Sequence, residues 1–199
     1  MTAPSGSVPE RTRADAEGIR RAAVAITEAA VVAVPTETSY GLAADALDPL
    51  AVARVLAIKG RSEGHQVSVL VADRAMLARV AARISPVAEE LMARHWPGAL
   101  TLVVPAREGL PAALVNSTGG VGVRISSDPV VQALLRAVGR PITATSANRS
   151  GEPAATEAEG AGLAGVALVL DDGPRCAPAS TVVDVTGVPV VLRQGAVVI

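Results

Sequence analysis

At 199 residues the chain has the length of one domain, or of one domain with a small appendage, and can bury a substantial core. The formal net charge of −1 gives no overall field for wrapping around nucleic acid, so such binding would need a local patch of arginine. The single cysteine, Cys176, excludes an intramolecular disulfide and a cysteine-cluster metal site, and we expect a cytoplasmic protein.

The amino-terminal third is predicted to start with a disordered tail and then to alternate helices and strands. Residues 1–12 are rich in Pro, Ser and Gly and predict a flexible tail, and no stretch reaches the roughly 18 uninterrupted apolar residues typical of a membrane span. Helical spacing of apolar residues predicts a helix over 13–30, and the run VVAV predicts a buried strand over 31–34. Pro49 is a natural first-turn residue for a helix that ends at Ile58.

The rest of the sequence predicts further helices and strands, and its last elements are all predicted strands. We expect helices over 74–83, 86–95, 129–138 and 156–162, and strands over 67–72, 100–106, 121–125, 141–145, 166–171, 180–187 and 188–199. This order indicates the α/β class with a mixed rather than a purely parallel sheet. We therefore predict a tail over 1–12 and a single domain over 13–199.

The sequence lacks the motifs of several common classes of enzyme and binding site. The phosphate-binding pattern GxxxxGK[ST] is absent, as are GxSxG, HExxH and the EF-hand pattern, and the chain has two histidines. Four loops at predicted strand ends instead carry hydroxyls, amides and cations: PTETSYG, KGRSEGH, SANRSG and LRQG. Such groups suit an anionic ligand held in the crevice beyond the strand ends. Each loop alone could equally be a turn, a helix cap or a solvated charge.

Lys59 stands out because it is the one lysine among eighteen basic residues. Composition alone attributes the scarcity of lysine to codon bias, which makes the one that remains more notable. Its place at a helix end before a polar loop fits a movable cation for an anionic ligand, and it fits equally a solvated charge that the helix dipole favours.

Taken in order, the segments PTETSYGL, KGR, WPGALTLV, VGVRI, SANRSGEPA, STVVD and LRQGAV resemble the YrdC-like family of threonylcarbamoyl-adenylate synthases over residues 19–197. The resemblance implies a twisted mixed α/β sheet with flanking helices around a large concave cavity. It also implies the joining of L-threonine, bicarbonate and ATP into threonylcarbamoyl-AMP with release of pyrophosphate. The product would serve threonylcarbamoyladenosine modification of tRNA, with tRNA or a tRNA-modifying protein as a possible partner, and Mg²⁺ would be carried by ATP rather than by a protein cage.

The resemblance also assigns residues. Lys59 and Arg61 match the pair that meets the nucleotide phosphates, and we carry the catalytic role over to them. Further nucleotide-side positions are His65, Ser146, Asn148, Thr156 and Arg193. Threonine-side positions are Thr38, Arg124, Ser146 and Ser180, with Arg124 suited to the amino acid's carboxylate. Tyr40 would shape the cavity wall.

Some positions depart from the family pattern. They are Ser62, Gln66, Leu70, Gly120, for which Thr118 is a possible substitute, and Ala179. Since Leu70 replaces a histidine that can contact threonine, a paralogue that binds nucleotide or RNA without the synthase activity is the alternative. A carbamoyl-transfer module like the related domain of hydrogenase-maturation proteins is a third reading. For the synthase we predict that Lys59→Ala and Arg61→Ala weaken ATP use far more than folding, because both residues would lie on a polar loop.

Overall fold

A computed structural model of the chain describes residues 9–60 and 67–199. Its helices are α1 (Ala16–Thr27), α2 (Pro49–Lys59), α3 (Arg74–Leu77), α4 (Pro86–His95), α5 (Pro129–Val138) and α6 (Ala158–Ala161), with a 3₁₀ turn at Ala112–Leu114. Its strands are β1 (Glu10–Arg13), β2 (Val31–Pro35), β3 (Tyr40–Ala43), β4 (Ser68–Leu70), β5 (Leu100–Pro105), β6 (Gly120–Arg124), β7 (Ile142–Ser146), β8 (Val166–Asp171), β9 (Thr181–Asp184) and β10 (Val190–Arg193). None of the helices in these two segments is long and apolar enough to cross a membrane.

The strands of the described segments form one mixed sheet in the order β1-β8-β2-β3-β7-β4-β6-β5-β9-β10. The pairs β1–β8, β2–β8, β4–β6 and β5–β9 run parallel, and the other five pairs run antiparallel. The predicted α/β class with a twisted mixed sheet and flanking helices is confirmed. Antiparallel neighbours bring carboxyl and amino ends of strands to the same edge, which is where a cavity can collect groups from distant parts of the chain.

Small aliphatic side chains build the core. Alanine, valine and leucine dominate the buried set, and Tyr40 and Lys59 are the largest side chains that are almost completely enclosed. Aspartates begin three of the longer helices, because the side chains of Asp15, Asp48 and Asp128 accept hydrogen bonds from backbone N–H groups of the first turn. These caps explain why α1, α2 and α5 begin at Ala16, Pro49 and Pro129.

Other boundaries differ from the predictions. Glu10–Arg13 forms a strand inside the predicted tail, and Tyr40–Ala43 forms a strand where a loop was expected. The helix predicted over 13–30 is shorter, as is the one predicted over 156–162. The division into a tail and one catalytic domain stays a prediction, although the sheet begins before its proposed boundary.

The helix predicted over 74–83 ends at Leu77 for a structural reason. The N–H of Ala82 donates to Pro105 O at 2.9 Å, and Ala81 bridges to Ala106. The chain after α3 is therefore held by hydrogen bonds to the end of β5, which helical geometry would not allow.

Candidate active site

A cavity of about 360 Å³ is lined from both edges of the sheet. The carboxyl ends of β2 and β7 and the amino end of β3 contribute from one edge, and the carboxyl ends of β6 and β10 and the amino ends of β5 and β9 contribute from the other. Its lining combines hydroxyl groups, two guanidinium groups and a few small apolar side chains. The lining residues are Val34, Thr36, Thr38, Ser39, Tyr40, Gly41, Ser68, Leu70, Thr101, Arg124, Thr143, Ala144, Thr145, Ser146, Ala154, Ala179, Ser180 and Arg193. The concave cavity that the resemblance implied is present, and it is lined for an anionic, hydrogen-bonding ligand.

The loop between β2 and β3 presents the hydroxyl of Thr38. The Thr36 hydroxyl donates to Ser39 O at 2.7 Å and accepts from the N–H groups of Thr38 and Ser39, which closes the loop on itself. Since the single proton of Thr36 is used in this way, the 3.0 Å contact between the two threonine hydroxyls assigns the donated proton to Thr38. The lone pairs of the Thr38 oxygen can then accept hydrogen bonds from a ligand amine or hydroxyl.

Arg124, at the end of β6, is a buried cation with an internal counter-ion. One oxygen of Glu37 accepts from Arg124 Nη1, and the other accepts from the Ser126 hydroxyl. Burial lowers the pKa of Arg124 below that of a free arginine, Glu37 opposes this shift, and the charge of Arg193 adds to it. An arginine stays protonated at neutral pH all the same, so Arg124 supplies a fixed positive charge to the cavity.

Arg193 and Ser180 form a second cationic wall. The guanidinium of Arg193 donates to Ser180 O from Nε at 3.0 Å and from Nη2 at 2.8 Å, and Nη2 also lies 3.0 Å from Ser180 Oγ. The Ser180 hydroxyl in turn contacts Thr101 Oγ1 at 3.0 Å. Arg193 is therefore held in place by the backbone carbonyl of Ser180.

The SAN loop after β7 is built around Lys59. Lys59 Nζ donates to Ser146 O and to Asn148 Oδ1, both at 2.6 Å. The amide nitrogen of Asn148 donates to Arg149 O at 3.0 Å and to Glu152 O at 2.6 Å. With the Ser146 hydroxyl also donating to Asn148 Oδ1, the whole amide of Asn148 is used inside the loop.

This geometry corrects the position expected for Lys59. The residue is the last of α2 and is completely buried, and its ammonium group is held by at least two oxygens, so it is neither on a polar loop nor a movable cation. Gly60 ends the helix in the left-handed conformation with φ 63°, as a glycine C-cap does. In this structure Lys59 anchors the loop that carries Ser146, and its nucleotide and catalytic roles stay predictions.

Tyr40 forms part of the cavity wall and is hydrogen-bonded to the loop that follows β8. Its hydroxyl donates to Gly173 O at 2.9 Å and accepts from the N–H of Asp172 at 3.3 Å. Burial raises the pKa of the Tyr40 phenol, and the nearby charge of Asp171 acts in the same direction. The expectation that Tyr40 shapes the cavity agrees with its place in the lining.

The structure brings most of the predicted site residues together. Thr38, Arg124, Ser146, Ser180 and Arg193 line the cavity, and Lys59 and Asn148 stand directly behind Ser146. Arg61 and His65, with the departures Ser62 and Gln66, lie outside the described residues.

Thr156 stands apart from this set. It is solvent-exposed and is not part of the cavity lining, and the contact described for it is through its carbonyl oxygen, which accepts from the N–H of Arg175 at 2.7 Å. The nucleotide role predicted for its hydroxyl therefore receives no support from the geometry.

Of the three departures from the family pattern that lie in the described residues, two line the cavity and one does not. Leu70 and Ala179 line the cavity, so they do change its wall. Gly120 lies at the opposite end of β6 from Arg124, about 13 Å away at 3.3 Å per residue, and a Cβ there would approach Val103 Cγ1 to 2.6 Å. Gly120 is a packing position, and Thr118, whose hydroxyl donates to Asn116 Oδ1, does not replace a cavity residue.

Sequence reasoning missed Glu37 and Thr101. Glu37 lies inside the PTET loop that had been singled out, and a carboxylate among arginines could have been read as their counter-ion. Thr101 belongs to a run that reads as an ordinary strand, and no local signal marks it. Within the two described segments, no group of three or more His, Cys, Asp or Glu side chains is placed to hold a metal ion.

Comparison with known proteins identifies the family. The sequence model of the Sua5/YciO/YrdC family, described as Telomere recombination, matches residues 24–195. The chain belongs to this family. A curated relative from Pyrococcus abyssi, named Threonylcarbamoyl-AMP synthase, is 39% identical over 190 residues, which cover 93% of this chain and 56% of the relative.

Solved structures of the family share the fold. The crystal structure of P. abyssi Sua5 complexed with L-threonine superposes with a TM-score of 0.86 at 38% identity, over 94% of this chain and 57% of that one. The Escherichia coli YciO structure superposes with a TM-score of 0.81 at 25% identity, over 96% of both chains. The chain spans about half the length of the first curated relatives that it matches.

Proposed function

We propose that this chain is an L-threonylcarbamoyladenylate synthase, which forms threonylcarbamoyl-AMP and pyrophosphate from L-threonine, bicarbonate and ATP. The observation that carries the proposal is the single cavity that holds Arg124 and Thr38 together with Ser146 of the SAN loop and Arg193. The P. abyssi relative's name and its L-threonine complex support it.

The amino acid would bind on the Arg124 side. A guanidinium suits a carboxylate, and Glu37 engages one of its terminal nitrogens, which leaves further N–H groups for the ligand. Thr38 can accept a hydrogen bond and Ser180 can exchange one, which fits an amine and a side-chain hydroxyl.

The nucleotide would bind on the side of the SAN loop and Arg193. The threonine amine first forms a bond to the carbon of bicarbonate, with loss of water, to give the carbamate. A carbamate oxygen then forms a bond to the α-phosphorus of ATP, and the bond from that phosphorus to the bridging oxygen breaks to release pyrophosphate. Catalysis of such a step is mostly positioning and stabilisation of negative charge. Arg193 supplies a fixed cation for it, and Lys59 holds the loop opposite; Arg61 and His65 would complete the nucleotide side. Mg²⁺ would enter with ATP, where it would neutralise phosphate charge.

The product has consequences for partners. An acyl phosphate anhydride is reactive, so we propose that a tRNA-modifying protein consumes it, and that tRNA is the final acceptor. A cytoplasmic location fits a chain whose one cysteine, Cys176, is exposed and forms no disulfide within the chain.

The test is release of pyrophosphate by the purified chain with ATP, Mg²⁺ and labelled bicarbonate. We expect release only when L-threonine is present, with incorporation of the label into the nucleotide product. Arg124→Lys keeps the charge but loses the planar fork, so the KM for threonine should rise at least tenfold while the KM for ATP changes little. Exposed Arg83 provides the matched control, since Arg83→Lys should behave as wild type.

The alternative is a paralogue that binds nucleotide or RNA without this activity. The presence of Leu70 and Ala179 in the cavity wall is the observation that favours it. In that case threonine would not stimulate pyrophosphate release, and an RNA probe would bind with an affinity that falls steeply as salt is raised. Threonine-independent release, or no release, would refute the synthase.

A further inference from the structure

We propose that Thr181 is a positioning residue of this active site, although its side chain does not line the cavity. Its hydroxyl holds the carboxyl-terminal segment Arg193–Val197, here called the clasp, against the start of β9, and the clasp keeps Arg193 and Ser180 in place. The inference rests on the proposed function, because its consequence is measured on the substrates of that reaction.

The Thr181 hydroxyl uses its full hydrogen-bonding capacity on the clasp. It donates to Val197 O at 2.5 Å and accepts from the N–H groups of Gly195, at 2.9 Å, and Val197, at 3.1 Å. A hydroxyl has one proton and two lone pairs, so all of them are directed at the clasp. Thr181 is completely buried, which makes each of these bonds costly to leave unmade.

Gly195 allows the clasp to lie this close. A Cβ at position 195 would come within 2.1 Å of Ala179 O and 2.7 Å of Ser180 O. The N–H of Ala196 donates to Ala179 O at 2.9 Å, so the clasp contacts the backbone on both sides of Ser180. The segment and the cavity residue Ser180 are thus one packed unit.

A register shift in β10 directs Arg193 toward Ser180. Val190 pairs with Asp184 and Val191 with Val183, but Arg193 rather than Leu192 pairs with Val182. One extra residue in a strand reverses the face on which the following side chain lies. With the guanidinium of Arg193 bonded to Ser180 O and Oγ, the shift and the clasp together fix this cation at the cavity.

Hydrogen bonds hold most of this end of the chain, and Val197 of the clasp is partly buried against the core. Every side chain of β10 is exposed, from 45% at Val191 to 56% at Leu192 among the apolar residues, so burial contributes little there. The backbone of Thr181 is anchored separately by the N–H donated to Ala99 O at 3.0 Å and by pairing with β5. Removal of the hydroxyl should therefore loosen the clasp while β9 stays in the sheet.

The experiment compares Thr181→Val with Thr181→Ser in the threonine-dependent pyrophosphate assay. Valine keeps the shape and loses the hydroxyl, so we expect the KM for ATP and for threonine each to rise about tenfold or more. Serine keeps the hydroxyl and should stay within about threefold of wild type. Amide hydrogen exchange, measured on the same proteins, should speed up at Gly195 and Val197 in the valine variant and not in the serine variant.

Thr186→Val is the matched control, because it removes a hydroxyl bond to Asp184 next to the same hairpin without touching the clasp or the cavity. It should leave both KM values unchanged. If Thr181→Val does not fold, Gly195→Ala tests the same clasp from its other side and should give the same rise in KM.

The outcomes separate the two proposals. An inactive wild-type chain refutes the proposed function. An active wild type whose Thr181→Val variant keeps wild-type KM values, or loses only thermal stability with unchanged KM, refutes the positioning role alone. A tenfold rise in KM restored by serine, with faster exchange in the clasp, supports it.

Discussion

Truncation of Lys59 should damage the fold as well as the activity, contrary to what a polar loop would imply. The side chain is completely buried, and its ammonium group donates to Ser146 O and Asn148 Oδ1 at 2.6 Å each. Lys59→Ala removes three methylene groups, at about 0.8 kcal/mol each, which gives roughly 2.4 kcal/mol. Loss of the two hydrogen bonds adds about 0.5–1.5 kcal/mol each, because Ser146 O keeps the N–H of Asn148 as a donor and Asn148 Oδ1 keeps the Ser146 hydroxyl. This loss is offset in part because an ammonium group no longer has to be buried.

A net loss of roughly 3 kcal/mol follows, and for a chain of this length about 2–4 °C of Tm accompanies each kcal/mol. We therefore expect Lys59→Ala to lower the Tm by roughly 6–12 °C and to raise the KM for ATP in the pyrophosphate assay. Lys59→Met keeps an unbranched apolar side chain of similar length and loses the charge, so it should recover about half of the Tm loss without restoring ATP use.

Arg54 on the same helix supplies the control. Its side chain is exposed and donates one surface hydrogen bond to Ala29 O, so Arg54→Ala should change stability by about 1 kcal/mol at most. A Tm for Lys59→Ala within 2 °C of wild type would refute the reasoning, because it would mean that the buried contacts contribute nothing. Unchanged ATP use in a destabilised Lys59→Ala would instead limit the residue to a structural role.

Three further predictions concern other parts of the structure. Glu37→Gln keeps a hydrogen-bonding partner for Arg124 but removes its counter-ion, so the KM for threonine should change at least threefold while the KM for ATP stays constant. Equal changes in the two KM values would contradict this prediction. Tyr40 is the one tyrosine, so absorbance at 295 nm should show its phenol ionising above pH 10, and a midpoint at or below pH 10 would contradict the raised pKa. Because the pKa of Tyr40 is raised in the folded state, its contribution to stability is present below pH 10 and is lost as the pH rises through the folded pKa. Gly120→Ala should cost about 1–3 kcal/mol in urea unfolding, since its Cβ would meet Val103, and leave both KM values unchanged; a shift in the KM for threonine would place position 120 in the site after all.

Local signals made part of the fold predictable. Proline at the first turn and aspartate caps located α2 and α5, and runs of valine located β2 and β5. Neither β1 nor β3 has such a signal. Glu10–Arg13 is a polar edge strand that exists through its ladder with β8, which is distant in sequence. Tyr40–Ala43 pairs with the preceding strand β2 on one side and with the distant strand β7 on the other.

The candidate site, like the fold, could be predicted from the sequence only in part. The resemblance of the motifs to the family assigned Arg124, Ser180 and Ser146 to one site, and the three residues do line one cavity. The burial of Lys59 could not be anticipated, since lysine is almost never fully buried and nothing local indicates that the SAN loop folds over it. The register shift before Arg193 likewise depends on how β10 pairs, which sequence alone does not specify.

The spread of the cavity lining along the chain has a kinetic consequence. Its residues run from Val34 to Arg193, and the strands that carry them are joined largely by pairings between distant segments. Non-local pairing slows folding, because the entropy of closing long loops is lost before the contacts form. We expect a refolding chain to regain helix content well before it regains ligand binding, which should return together with the last strands of the sheet.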